Sequence, residues 1–318
     1  MKAIVYKSTG SWYTLKDEMG QWWNARIKGV MKLDHITSTN PVAVGDKVEM
    51  EPDEIPDSPD GYRDQKERTA SISEIYERRN YINRQSPRAK YQHHIIAANI
   101  DQSLMIATLK EPKTSQGFID RFLVASEMYH VPAAIVFNKA DLHKKKEQEK
   151  FESWKQMYEK IGFKVLLMSI KEKIGIDEVR ELLKKKTTLI SGHSGVGKSA
   201  FINEIISGLG LKTQDVSGWS GKGLHTTTFA EMFDLPFEGR IIDTPGMREF
   251  GMVDLKRQEV SLYYPEMRTL LVNCQFNNCL HLNEPGCAVR EAAMKGKIHE
   301  DRYISYLKVL DSIEDKSY

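Results

Sequence analysis

"TTLISGHSGVGKSAFINEIIS", Thr187 to Ser207, decides the fold class of this chain. "TTLI" is a short apolar, β-prone run, and "SAFINEIIS" has the spacing of a helix. Between them Gly192–Ser199 match the pattern G-x-x-x-x-G-K-[ST]. A strand feeding a glycine-rich loop into a helix N-terminus turns several backbone N–H groups toward one point, and the glycines let that backbone approach closely. That is an anion cradle suited to phosphates. In this reading Lys198 holds the β and γ phosphates and Ser199 binds Mg²⁺. Gly192, His193, Ser194, Gly195, Val196, Gly197 and Ala200 complete the cradle. A glycine-rich turn without a ligand is the plain alternative. The flanking strand and helix both speak against it.

Upstream of this loop, apolar runs alternate with amphipathic stretches: "QSLMIATL", "FIDRFLVASEMYH", "PAAIVFNKADL", "EKFESWKQMYEKIG", "KVLLMSI" and "GIDEVRELLKKK". Downstream, "AEMFDL" and "GRIIDTPG" add two more strands. Strand–helix alternation with fully apolar strands predicts a parallel sheet covered on both faces. One strand, "AAIVF", ends in Asn138-Lys139-Ala140-Asp141. A carboxylate at Asp141 can accept from guanine N1–H and N2–H₂. Adenine offers neither donor, so an unpaired Asp would reject it. Lys139 would pack its stem over the base, and Asn138 would tie the loop to its neighbours. Ser169, at the next strand end in "LLMSI", could support the same base. Each element stands at the carboxyl end of a strand, where open α/β sheets bind ligands. The order is rotated, however, with the base reader preceding the phosphate loop.

"RIIDTPGMREF" places Asp243 at a strand end, where it could face Mg²⁺, and Gly246 could offer its N–H to the γ-phosphate. Met247 follows, where a glutamine would orient the attacking water in many signalling GTPases. "SGWSGKGLHTTTFAEMF" reads as a mobile loop. Thr227 is the preferred Mg²⁺ ligand in it, with Thr226 and Thr228 as competitors. His225 is a candidate for positioning water, the alternative being a solvent-facing loop histidine.

All three cysteines lie in "NCQFNNCLHLNEPGC". Cys274, Cys279, His281 and Cys287 make a four-ligand set for tetrahedral Zn²⁺. No position is left open, so the site reads as structural. The segment around it, from about residue 255, is helical in spacing. An odd cysteine count without a signal peptide argues against a disulfide framework.

Residues 1–75 carry five strand-like runs, "KAIVYK", "WYTLKD", "WWNARIKG", "GDKVEMEP" and "TASISEIY", separated by turn-like stretches. They suit a small closed barrel of the OB type, with a small β-sandwich or SH3-like barrel as the alternative. Trp12, Trp22 and Trp23 could stack RNA bases or fill the core. "ERRNYINRQSPRAKYQHH" reads as a basic linker, either touching phosphate or simply solvated.

At 318 residues the chain has room for about two or three domains. Its net charge of +2 means that nucleic-acid contact must come from local patches. No signal core or membrane-spanning run is visible, so a cytoplasmic location is expected. The protein is also expected to be a monomer.

The rotated order, together with "FNKADL", "GHSGVGKS", "GLHTTT", "DTPGMREFG" and the Cys/His segment, closely resembles the RsgA family of circularly permuted GTPases. "VAVGDKVEM", "NIDQ" and "RYISYLK" extend the similarity over nearly the whole chain. The resemblance implies three domains: an OB RNA-binding domain (1–75), a permuted α/β P-loop GTPase domain (76–254) and a mainly helical zinc domain (255–318). It implies GTP and GDP, Mg²⁺ and one structural Zn²⁺ as ligands. It also implies binding to the small ribosomal subunit and its rRNA, a role in late subunit maturation, and slow hydrolysis stimulated by the subunit. The family's switch histidine corresponds to His225 and its hydrophobic substitution to Met247. Because the strand at Asp243 leads directly into the Cys segment, γ-phosphate sensing is expected to reach the zinc domain. Two other readings remain: a nucleotide-regulated RNA-binding protein in which hydrolysis is incidental, and a small-molecule kinase. The kinase reading gives no role to the base reader or the Cys cluster.

Overall fold

The computed structural model describes the chain except for residues 29–40, 54–67, 86–92, 212–229, 245–251, 253–254 and 314–318. The first five strands are β1 (Lys2–Ser8), β2 (Tyr13–Asp17), β3 (Trp22–Ile27), β4 (Lys47–Pro52) and β5 (Thr69–Ile75). They pair in the order β1-β2-β3-β5-β4, and β4 pairs back onto β1, which closes the barrel. Alternation drives this. In β2, Tyr13, Leu15 and Asp17 point inward while Thr14 and Lys16 are partly exposed. Val5, Leu15, Ala25, Val48, Met50 and Ile72 form the core.

The three tryptophans divide. Trp23 packs against the barrel core and donates its indole N–H to Asp17 at 2.9 Å. Trp12 and Trp22 are exposed, and the Arg26 guanidinium lies 3.7 Å from the Trp12 ring centre.

The basic segment after the barrel is not a plain linker. It contains β6 (Tyr81–Gln85), which pairs antiparallel with β7 (His93–Ala98). Arg78 makes two 2.6 Å contacts with the fully buried Asp46 carboxylate. The polar, basic composition hid this hairpin, although Ile82, Ala97 and Ala98 within it are buried. Gly45, at φ +90°, is required beside it: a Cβ there would sit 2.1 Å from the Ala98 carbonyl oxygen.

Next in the chain come β8 (Gln102–Ala107), α1 (Gln116–Met128), β9 (Ala133–Phe137), α2 (Lys145–Lys160), β10 (Lys164–Leu167), α3 (Ile176–Leu183), β11 (Thr187–Ser191), α4 (Lys198–Ile205), β12 (Glu231–Asp234) and β13 (Arg240–Asp243). Every residue of β8 is buried, as a covered parallel strand requires. In α2 the buried residues are Phe151, Trp154, Met157 and Tyr158, one helical stripe. Strands β8, β9 and β10 are parallel, as are β11 and β13. β12 departs from the expected all-parallel sheet and runs antiparallel to β13. The turn between them closes with Leu235 N–H donating to Gly239 O at 2.9 Å, and so short a connection can join only antiparallel strands.

The C-terminal part holds α5 (Pro265–Arg268), α6 (Ala288–Met294) and α7 (Glu300–Asp311). Its core joins Val260, Tyr264, Met267, Val289, Tyr306 and Leu310 with Val124 of α1. Arg302 of α7 is buried. It donates to Asp120 of α1 at 2.5 Å and to Glu266 of α5 at 2.6 Å, and Tyr158 of α2 donates to the same Asp120 at 2.9 Å.

The described residues form two compact units. One lies within Met1–Asp101, Leu183–Ile190 and Ser220–Gly246. The other lies within Gln102–Leu182, Ser191–Trp219 and Met247–Tyr318. No helix among the described residues is long and apolar enough to cross a membrane.

Candidate nucleotide site and metal cluster

The phosphate loop leaves β11 at Ser191 and enters α4 at Lys198. Gly192 has φ 148°, and a Cβ there would lie 2.3 Å from the Ile106 carbonyl oxygen. Gly197 has φ 99°, and a Cβ there would lie 2.4 Å from Asn138 Nδ2. Both positions therefore demand glycine, one for the loop's seat on β8 and one for its contact with the base-reading loop. Lys198 Nζ donates to the carbonyls of Gly192 and His193 at 2.6 and 2.9 Å, which holds the ammonium over the loop.

The segment Asn138–Asp141 follows β9. Asn138 is buried, and its Nδ2 donates to Val196 O of the phosphate loop at 2.8 Å. Lys139 takes a left-handed φ of 63°, and its ammonium contacts the Glu111 carbonyl. Ala140 N–H donates to Met168 O at 3.1 Å, which docks the loop on the chain after β10. There Ser169 Oγ donates to Asp141 Oδ1 at 2.6 Å and fixes the carboxylate's direction. Burial holds the His143 imidazole below its ordinary basicity, against the pull of Glu147 and Asp141, so it adds little positive charge at neutral pH.

Asn138, Lys139, Ala140, Asp141 and Ser169 thus share one unit with Gly192–Ala200. Asp243 belongs to the other unit, where it is buried at the end of β13, in register with Ile190. Thr244 Oγ1 donates to Ile190 O at 3.3 Å beside it. His225, Thr226, Thr227, Thr228, Gly246 and Met247 lie outside the described residues.

Phe118 is a contact that sequence reading missed. Ser115 caps α1 by accepting from Phe118 N–H, and the Phe118 ring stacks on His193 of the phosphate loop with centroids 3.6 Å apart. No local pattern announces it, since 75 residues separate the two positions. Arg302 did leave a signal. It stands on the apolar stripe of α7 with Tyr306 and Val309, where a charge needs a buried partner.

The cysteines and histidine converge. The ligand atoms of Cys274, Cys279, His281 and Cys287 all lie within 4.8 Å of one another. His281 Nδ1 is 3.7 Å from Cys274 Sγ and 3.3 Å from Cys287 Sγ. A tetrahedral zinc with its usual bond lengths sets such edges at about 3.6 Å, so the set fits the ion. Burial pushes the Cys279 thiol up to about 12 and raises that of Cys287, a cost that a divalent cation would offset. The ligand loop is braced from within by Glu284 and from outside by α7. Glu284 accepts from the N–H groups of Leu280 and Leu282, while Tyr303 and Tyr306 donate to the carbonyls of His281 and Leu280. Cys287 also caps α6 through Arg290 N–H.

A strand-ended base loop, a later phosphate loop and an attached barrel define a circularly permuted P-loop GTPase. The family described as RsgA GTPase matches residues 75–253, and the RsgA N-terminal domain matches residues 2–59. The chain is 46% identical to the small ribosomal subunit biogenesis GTPase RsgA of Bacteroides fragilis strain YCH46, over 100% of this chain and 99% of that one. It is equally identical to the RsgA of Flavobacterium psychrophilum, over 100% and 94%. Among solved structures, YjeQ from Thermotoga maritima superposes with a TM-score of 0.75 at 29% identity, covering 98% of this chain and 97% of that one. YloQ, described as a circularly permuted GTPase, gives 0.72 at 26% identity, covering 100% and 96%. The chain belongs to the RsgA family.

Proposed function

We propose that this protein hydrolyses GTP while bound to the small ribosomal subunit and assists that subunit's late maturation; its relatives are named small ribosomal subunit biogenesis GTPases. The observation that carries the guanine-nucleotide reading is the bond from Asn138 Nδ2 to Val196 O, which joins the base loop to the phosphate loop in one unit.

In this reading Asp141, aimed by Ser169, accepts from guanine N1–H and N2–H₂, while Lys139 covers the base and Ala140 lines it. The backbone N–H groups of Gly192 to Ala200, His193 to Gly197 included, surround the phosphates at the N-terminus of α4, where the helix dipole favours negative charge. Lys198 exchanges its loop carbonyls for the β and γ phosphates. Ser199 and Thr227 would be the Mg²⁺ ligands, with Asp243 as a further carboxylate for the ion, which would supply neutralisation of phosphate charge. Gly246 senses the γ-phosphate through its N–H. Met247 cannot orient water, which leaves that task to His225 and makes unassisted hydrolysis slow. Cys274, Cys279, His281 and Cys287 hold a structural Zn²⁺.

By residues, 1–75 serve RNA contact, 76–254 guanine-nucleotide chemistry and 255–318 the zinc site. The exposed Trp12 and Trp22 support RNA contact on the barrel. A ribosomal partner implies work in the cytoplasm, and a single chain carries every part the mechanism uses.

The deciding experiment measures GTP turnover with and without purified small subunits, and co-sedimentation with them in non-hydrolysable GTP against GDP. Faster turnover and GTP-favoured binding are expected. Turnover unaffected by subunits would reject the reading.

A further inference from the structure

The hairpin that carries Asp243 is continuous with the barrel. In β12, Glu231 is in register with Asp243 of β13 on one side and with Lys7 of β1 on the other. Lys7 Nζ adds an ion pair to Glu231 at 3.1 Å. One row of three backbone positions therefore connects a barrel strand to the carboxylate assigned to Mg²⁺. A second row lies three residues along β12, where Asp234 is in register with Arg240. Asp234 Oδ1 accepts from the Tyr6 hydroxyl at 2.6 Å, and Oδ2 accepts from Lys16 Nζ at 2.5 Å. Arg240 Nε donates to the Tyr6 hydroxyl at 3.1 Å and to Asp234 at 3.3 Å.

This cluster reaches the surface. The Tyr6 ring meets Trp22 edge-on with centroids 4.8 Å apart, and Lys16 Nζ lies 5.1 Å from the Trp22 ring centre. Trp22 is 49% exposed, whereas Tyr6 is 3% exposed. An exposed indole thus packs edge-on against a buried tyrosine whose hydroxyl is bonded to both strands of the hairpin. Burial works against the charge on Asp234, but its bonds from Lys16 and Tyr6 win and keep it ionised. Tyr6, its hydroxyl raised by burial and by Asp234, stays a proton donor. All of these residues fall within one compact unit. Packed sheets do not deform continuously, so β13 cannot shift along its axis without moving β1 or shearing these bonds.

We propose that Tyr6 and Asp234 are positioning residues for GTP hydrolysis: they couple the barrel surface around Trp22 to strand β13, so that the small subunit's grip on the barrel sets the position of Asp243. The inference rests on the function proposed above and adds the barrel as a second outlet for the nucleotide state, beside the zinc segment.

The test uses the full chain and the variants Tyr6→Phe and Asp234→Asn. Tyr6→Phe keeps the ring and removes only the hydroxyl, and thermal melts check that both variants fold. Turnover without subunits and affinity for subunits should stay within about twofold of the parent protein, while the subunit's stimulation at saturation should fall at least about tenfold. Full stimulation in a folded Tyr6→Phe protein would overturn the proposal, and so would weakened subunit affinity with full stimulation at saturation. A second arm needs no ribosome. Amide hydrogen exchange in β1 and β12 should differ between non-hydrolysable GTP and GDP in the parent protein, and the difference in β1 should vanish in Tyr6→Phe. Identical β1 exchange in both nucleotides in the parent protein would sink the coupling. Failure of subunits to stimulate the parent protein would instead reject the ribosomal reading and leave this arm to decide.

Discussion

At the scale of single residues, the guanine-reading hypothesis turns on Asp141 and the serine that aims it. Asp141→Asn replaces two charge-assisted acceptors by one neutral acceptor and an NH₂ donor, and should weaken GTP by about 100-fold or more. Xanthosine triphosphate, whose C2 carbonyl can accept from the new amide, should bind in its place. Competition against a fluorescent nucleotide would measure both, and undiminished GTP affinity would refute the assignment. Ser169→Ala breaks one hydrogen bond to Asp141 and should cost only about threefold to tenfold in the same assay. In the metal cluster the sign follows from burial. With the Cys279 and Cys287 thiols raised, they carry protons at neutral pH, and a metal must displace them. Adding zinc to metal-free protein at pH 7 should release more than one proton per ion, read with a pH indicator, and the affinity should fall as pH falls. Proton-neutral uptake would exclude thiolate ligation. Asp141 and Lys198 were legible because their chemistry is written in short local patterns. Phe118, stacked on His193 from another helix, was not, because nothing near it in the chain constrains that meeting.

At the scale of elements, two devices hold the C-terminal helices. In the cluster's loop, Cys279 and Cys287 belong to the core with Tyr306 and Val289, and Cys274, Leu280 and Leu282 pack against it. Cys279→Ser should abolish zinc retention and lower the melting temperature by several degrees, and an unchanged melt would show that the loop folds without metal. The second device is Arg302 between Asp120 and Glu266. Arg302→Met leaves two buried carboxylates without their cation and should cost about 3–5 kcal/mol. Adding Asp120→Asn and Glu266→Gln should recover part of the loss, and denaturant melts of the single and triple variants would show it. Helices α2, α3 and α7 follow their apolar stripes and were readable. The hairpin β6–β7 and the direction of β12 were not. Each depends on which strand lies alongside, and that partner's pairing is invisible in the segment's own composition.

At the scale of the molecule, the rotated order of motifs becomes a matter of connectivity. The base loop at Asn138–Asp141 precedes the phosphate loop at Gly192–Ser199 in the chain, yet Asn138 bonds Val196 across 58 residues. The site is therefore indifferent to where the chain begins, provided the strands keep their places. The sequence by itself determined the ligand chemistry, since the phosphate cradle, the base-reading carboxylate and the four metal ligands each need particular side chains at particular spacings. It also determined the number and placement of the barrel strands, through period-two alternation. Only the tertiary structure decided that the barrel closes through β1 and β4, that Arg302 is buried between two carboxylates, and that Lys7, Glu231 and Asp243 stand in one row. The physical reason is range. Side-chain chemistry and periodicity act over a few residues and leave their mark there, whereas register and burial are settled by partners tens to hundreds of residues away, once the whole chain has packed.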